Sequence, residues 1–234
     1  VSRMSEHHPQ PSPTEEIRKE FQLERMILFS DAVFAIVITL MAIEIKLPES
    51  DGPRTAEQLM HGMHHLLPIL LAYVVSFWFI GMLWYQHLKL FGHLKSYDKG
   101  LVFRNLLLLF CVGLFPFSVS LQVSGYHDSL IPFTIYFSVL VACMLAQVVL
   151  VHYVLVSRPQ LRIGSDITDD LRELKNKKIG LLSLLLCFTF STITYYMIGD
   201  EELKTIGTLW FTLMYPFMRL MGYQKKPKMP RHAD

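Results

Sequence analysis

Apolar residues gather in six long blocks along the chain, at about 27–47, 66–88, 101–121, 130–156, 179–198 and 203–220. A membrane-spanning helix needs roughly 20 apolar residues, and every block approaches that length. The sixth is the shortest and carries Lys204, Pro216 and Arg219 at or near its ends. The pattern predicts an all-α membrane protein of six transmembrane helices. Pro68, Pro116 and Pro216 are expected near helix ends, where a missing N–H is tolerated.

Charge changes the picture by giving the blocks a direction. With the N-terminus inside, Arg3, Arg18, Lys19 and Arg25 precede the first block. Lys89, Lys95, Lys99 and Arg104 flank the connection between blocks two and three. Arg158, Arg162, Arg172, Lys175, Lys177 and Lys178 lie between blocks four and five, and Arg219, Lys225, Lys226, Lys228 and Arg231 close the chain. Nineteen of the 22 Lys and Arg residues thus fall on one side, leaving Lys46, Arg54 and Lys204 for the other. The positive-inside rule then predicts an even number of spans and both termini in the cytoplasm. Acids dominate the opposite side, with Glu44, Glu49, Asp51, Glu57, Asp128, Asp200, Glu201 and Glu202. They would concentrate cations there, within a screening length of roughly 8 Å.

Three regions follow: a Pro-rich arm over 1–13 expected to be disordered, a six-helix transmembrane domain over 14–221, and a basic cytoplasmic tail over 222–234. Thr14-Glu15-Glu16 reads as a helix start, with a capping hydroxyl and first-turn acids, so a short helix is expected to lead into the first span. That span begins after some 26 polar residues and is too long for the apolar core of a signal peptide. The basic segment 157–178 is expected to face anionic lipid. Cys111, Cys143 and Cys187 lie inside apolar blocks and read as small buried hydrophobes. His61, His64 and His65 share a helix spacing suited to a metal but lack an acidic or cysteine companion, so no metal site is assigned. The chain carries no phosphate loop, nucleophile elbow or Cys/His zinc pattern, so no enzyme activity, cofactor or nucleic-acid partner is expected. The opening block has no second copy, which argues against an inverted-repeat transporter.

Ionisable groups inside a span are costly and mark sites. Asp31 lies one to two turns into the first block, Trp84 and His87 in the last turns of the second, and Arg104 and Asn105 in the first turn of the third. Three helices therefore present polar groups at one depth. Two readings fit: a structural hydrogen-bond network, or a proton-coupled transporter using Asp31 and His87. On the other side of the first helix, at about 100° per residue, Phe29, Ile36, Leu40, Ile43 and Leu47 fall within roughly 60° of one another. Thr39 flanks that stripe, and Asp31 points about 140° away from Ile36.

Arg25-x-x-x-Phe29-Ser30-Asp31, followed by AVFAIVITLMAIEI, resembles the signature of the transmembrane protein 175 family, the lysosomal and endosomal potassium channels and their shorter prokaryotic relatives. Trp84-x-x-His87, Arg104-Asn105 and the FPF at 115–117 fit the same resemblance. It implies a homotetramer in a prokaryotic plasma membrane, a passive potassium-favouring pore lined by helix one, and no TVGYG filter. It also implies that Ile36 forms the principal constriction, with Leu40, Ile43 and Thr39 beside it. Arg25, Phe29, Ser30, Asp31, Trp84, His87 and Asn105 are implied as a structural polar network, with potassium ions and membrane lipid as partners.

Overall fold

A computed structural model describes residues 13–43, 45, 56–123, 130–163, 168–197 and 214–223, without the side chains of 13–16, 56–69, 71, 72, 122, 123, 168–170, 214, 215 and 217. Glu44, Leu47 and most of the sixth block lie outside those residues, as do the side chains of His61, His64 and His65. The described chain is helical, with one isolated bridge between Leu94 and Arg162. Four helical stretches are long and apolar enough to cross a membrane: Ile17–Ile43, Lys99–Leu121, Ile131–Ser157 and Leu171–Met197.

Helix α1 runs unbroken from Pro13 to Ile43, so the leading polar turns and the first apolar block form one rod. Helix α2 spans Ala56–Phe91. It extends into what the sequence suggested was an outer loop, and Pro68 sits inside it instead of near its end. The lost N–H costs one hydrogen bond, which the long flanking helical turns tolerate. The third apolar block is two helices, α3 (Lys99–Gly113) and α4 (Phe115–Val123), separated at Leu114. Pro116 explains the break, since it cannot donate to the carbonyl four residues back. Leu114 N–H instead bonds to Cys111 O at 3.2 Å, and Ser118 Oγ donates to Phe115 O at 2.7 Å.

Helix α5 (Ile131–His152) continues as a π-helical turn, Tyr153–Ser157, before a short 3-10 turn, Pro159–Leu161. Helix α6 (Thr168–Met197) takes in most of the charged run between the fourth and fifth apolar blocks, and α7 (Met214–Leu220) packs against it. Helix α1 lies against α2, α3 and α4, while α5 lies against α3, α4 and α6. The interior joins Phe34, Val37 and Met41 of α1 to Ile80 and Leu83 of α2, Leu108 and Val112 of α3, and Cys143 and Leu150 of α5. Lipid tails are as apolar as leucine, so close packing and internal hydrogen bonds hold such a bundle. Buried Ser30, Ser76, Ser118 and Ser183 suit that need by keeping helices close. Ser76 and the Tyr136 hydroxyl, 3.0 Å apart, link α2 to α5.

Candidate functional site

At the depth where polar residues coincide, α1, α2 and α3 are tied by a directional chain of hydrogen bonds. Ser30 Oγ lies 2.8 Å from Met26 O. A carbonyl can only accept, so the hydroxyl donates there and its oxygen is left to accept. Asn105 Nδ2 donates to that oxygen at 2.9 Å, which fixes the amide so that Oδ1 faces His87. His87 Nε2 is 2.8 Å from Oδ1 and therefore carries the proton. Ser30, His87 and Asn105 are all buried. The imidazole stacks on Phe91 with centroids 4.0 Å apart and meets Phe34 at 5.6 Å, so it is gripped on its faces as well as its edge. Such a chain is satisfied only at one rotation of each helix.

Asp31 makes a second link at the edge of the bundle. Its Oδ1 accepts from Trp84 Nε1 at 2.8 Å. Arg25 and Phe29 stay exposed on the single chain. Arg104 takes a separate role: its Nη1 donates to Gly100 O at 2.9 Å and its guanidinium lies 3.8 Å from the centre of the Tyr153 ring.

The opposite face of α1 is open. Ile36 is 56% exposed and Ile43 61%, while Val37, one residue on, is 4% exposed. Leu40 and Thr39 are exposed on the same side. The Thr39 hydroxyl points its proton back into the helix, 3.0 Å from Ala35 O and 2.9 Å from Ile36 O. Its oxygen lone pairs are thereby turned outward. The buried residues Ser30, Phe34, Val37 and Met41 centre roughly 130° from Ile36 around the helix. One face is clasped and the other, aliphatic and unpolarised, faces out of the protomer.

A third cluster was not anticipated. Asp98 caps α3, its Oδ1 accepting from Leu101 N–H at 2.7 Å, while Oδ2 accepts from the Tyr153 hydroxyl at 2.7 Å and lies 3.6 Å from Arg158 Nε. Burial alone would raise the Asp98 carboxyl, but Tyr153, the Leu101 N–H, Arg158 and Arg104 outweigh it and hold it below its ordinary value. The fit is tight, because a Cβ on Gly100 would lie 2.2 Å from the Tyr153 hydroxyl oxygen. The run Asp98-Lys99-Gly100-Leu101 carries an N-cap signal, but nothing local announces Tyr153 as its partner. Lys89 of α2 also bonds to Glu173 of α6, joining the charged start of α6 to the bundle.

Residues 25–116 match the family model described as endosomal/lysosomal potassium channel TMEM175. A protein of Streptomyces collinus named as a potassium channel is 38% identical over 125 residues, which cover 52% of this chain and 59% of that one. Another of Chamaesiphon minutus, also named as a potassium channel, is 35% identical over 106 residues, 45% of this chain and 52% of the relative. The chain thus spans little more than half the length of these bacterial relatives. The human protein named endosomal/lysosomal proton channel TMEM175 is 30% identical over 124 residues, 51% of this chain and 24% of the human one. The fold is that of a crystal structure described as a lysosomal potassium-selective channel TMEM175 homolog from Chamaesiphon minutus, with a TM-score of 0.63 at 24% identity, covering 86% of this chain and 98% of that one. The matching family is one of ion channels, not enzymes.

Proposed function

We propose, from the match of residues 25–116 to the TMEM175 family model, that the chain is a member of that family and a passive potassium-favouring channel subunit with six spans and both termini in the cytoplasm. Four copies surround a pore, each contributing the open face of α1. The observation that carries this reading is the division of α1 into a hydrogen-bonded face and an exposed aliphatic face. The clasp from Ser30 through Asn105 to His87, with the Asp31–Trp84 link beside it, sets the rotation of α1, and that rotation presents Ile36, Leu40 and Ile43 to the axis. Rings of these side chains dewet when narrow and block ions. When they widen slightly, an ion passes by shedding part of its hydration shell, which costs less for K⁺ than for Na⁺. The outward lone pairs of Thr39 offer a partial substitute for the lost water.

Liposome flux tests this reading. Ile36→Asn or Ile36→Ala is expected to raise conduction or narrow the K⁺ over Na⁺ preference by several-fold. Wild-type flux and preference in both variants would remove Ile36 from the pore.

Proton-coupled transport through Asp31 and His87 is the second reading. His87 Nδ1 has no hydrogen-bond partner among the described residues, and the human relative is named as a proton channel. The donor chain from His87, however, ends at the Met26 carbonyl, which cannot pass a proton on. That favours the structural role. Uptake driven by a pH gradient and abolished by Asp31→Asn would reverse the preference.

A further inference from the structure

The end of the bundle where α3 begins and α5 finishes carries a pair of arginines that the conduction reading does not use. Lys99 starts the α3 span and Ser157 closes the α5 span, so the two helices meet there at one surface of the membrane. Arg104 of α3, with Tyr153 and Arg158 from the end of α5, gathers around Asp98 at the start of α3. Basic and tyrosine side chains both favour such an interface.

A π-helical turn brings them together. Arg158 N–H donates to Tyr153 O at 2.8 Å, five residues back, so the turn that carries Tyr153 also decides where Arg158 leaves the helix. Such turns are frequent at functional sites. Tyr153 bridges the cluster: its hydroxyl donates to Asp98 Oδ2 at 2.7 Å, and its ring centre lies 3.8 Å from the Arg104 guanidinium. Both arginines keep most of their donors. Gly100 O takes a single N–H of the Arg104 guanidinium, and Arg158 Nε lies 3.6 Å from Asp98 Oδ2, longer than a hydrogen bond. Neither side chain has a further bond or ion pair among the described residues. Asp98 is occupied already, because Leu101 N–H and the Tyr153 hydroxyl donate to its two oxygens. Arg158 is 52% exposed, so its remaining donors are open to a ligand at the bilayer surface.

Toward the membrane interior, α3 offers an apolar track. Phe103, Leu107 and Phe110 recur at intervals of four and three, which puts them on one stripe, and all three are exposed. Phe103 immediately precedes Arg104, so the stripe starts at the level of the charges and runs from there into the span. Guanidinium groups bind phosphate oxygens bidentately with charge-assisted bonds. Basic residues at a membrane surface also attract anionic lipid. Charged donors above an apolar stripe follow the order of a phospholipid's own parts, and free phosphate would leave the stripe unused.

We propose that the α3–α5 junction is a binding site for an anionic phospholipid, with Arg104 and Arg158 holding the headgroup phosphate and Phe103, Leu107 and Phe110 receiving an acyl chain. The site stands apart from the pore, and its readout is lipid retention, not flux. Native mass spectrometry of the purified protein, titrated with phosphatidylglycerol or phosphatidylcholine of equal chain length, tests it. Phosphatidylglycerol is expected to bind about tenfold more tightly, and Arg104→Gln and Arg158→Gln each to weaken it by about fivefold. Lys175→Gln, a comparable charge change at an exposed position of α6, is expected to leave it unchanged. Arg104 also braces Tyr153, so should Arg104→Gln fail to fold, Arg158→Gln decides. Equal retention of the two lipids, or equal weakening by Lys175→Gln, would overturn the proposal by reducing the effect to diffuse surface charge. Displacement of the lipid by an equal concentration of inorganic phosphate would overturn it too, because the apolar stripe would then contribute nothing.

Discussion

Phe29 and Phe34 sit five residues apart on the same helix and are treated in opposite ways. Phe34 is 1% exposed and touches the His87 ring, whereas Phe29 is 54% exposed. Hydrophobicity cannot have sorted them, because both are phenylalanine and lipid offers no penalty for exposing either. What distinguishes the two faces of α1 is the line of hydrogen bonds at Ser30, which ties one of them to α2 and α3. In a membrane, polar residues decide which apolar residues are interior.

The most disruptive way to test that comparison is to truncate each ring in turn. Phe34→Ala leaves a cavity against the imidazole and should cost about 3–5 kcal/mol, read as a lowered melting midpoint of the detergent-solubilised protein. Phe29→Ala should stay within about 0.5 kcal/mol of the wild type. Equal losses would mean that Phe29 is packed against something in the working assembly.

A smaller loss is expected from Asn105→Leu. It keeps the volume of the site but strands the His87 Nε2–H and removes the donor to Ser30, so a cost of about 1–2 kcal/mol is expected by the same melting assay. The more telling effect is on rotation: α1 should lose its unique setting, and flux through the Ile36 face should become variable or fall. A variant that melts early yet conducts normally would separate the clasp from the pore.

Smaller still is the contribution of Asp98, which holds α3 against the π-helical end of α5 and so fixes the helix that supplies Asn105. Its folded value lies below the ordinary 3.8. A carboxyl depressed on folding stabilises the folded state above its unfolded value and loses that contribution as pH falls through the folded one. Wild-type stability should therefore drop on acidification below about pH 4. Asp98→Asn should flatten that part of the profile while lowering stability near neutrality. An unchanged acid profile in Asp98→Asn would show that the Tyr153 and Arg158 contacts carry little of the stability.

Hydropathy and charge were enough to read the chain as a helical membrane protein, because roughly 20-residue apolar stretches have few other uses. Local signals also marked Asp31, Trp84, His87, Arg104 and Asn105 as polar groups at one depth, since helix direction and rise per residue fix depth, whereas Ser30 entered only through the resemblance. They did not reveal the pairing, in which Ser30 rather than Asp31 lies on the buried chain with His87. That pairing depends on how three helices rotate against one another. The prolines misled for a related reason. Pro68 is absorbed into a long helix while Pro116 follows the break at Leu114, and residue type alone does not distinguish them. The Asp98–Tyr153 bond joins residues 55 positions apart, beyond the reach of any local pattern.

The central claim is that the open face of α1 meets its equivalents from other copies. Oxidative cross-linking in proteoliposomes tests it directly, against a background in which Cys111, Cys143 and Cys187 are buried. Ile36→Cys should form disulfide-linked dimers between protomers, while Val37→Cys, one residue on and inside the protomer, should not. Ile36→Cys that never cross-links and instead labels from the lipid phase would contradict the account.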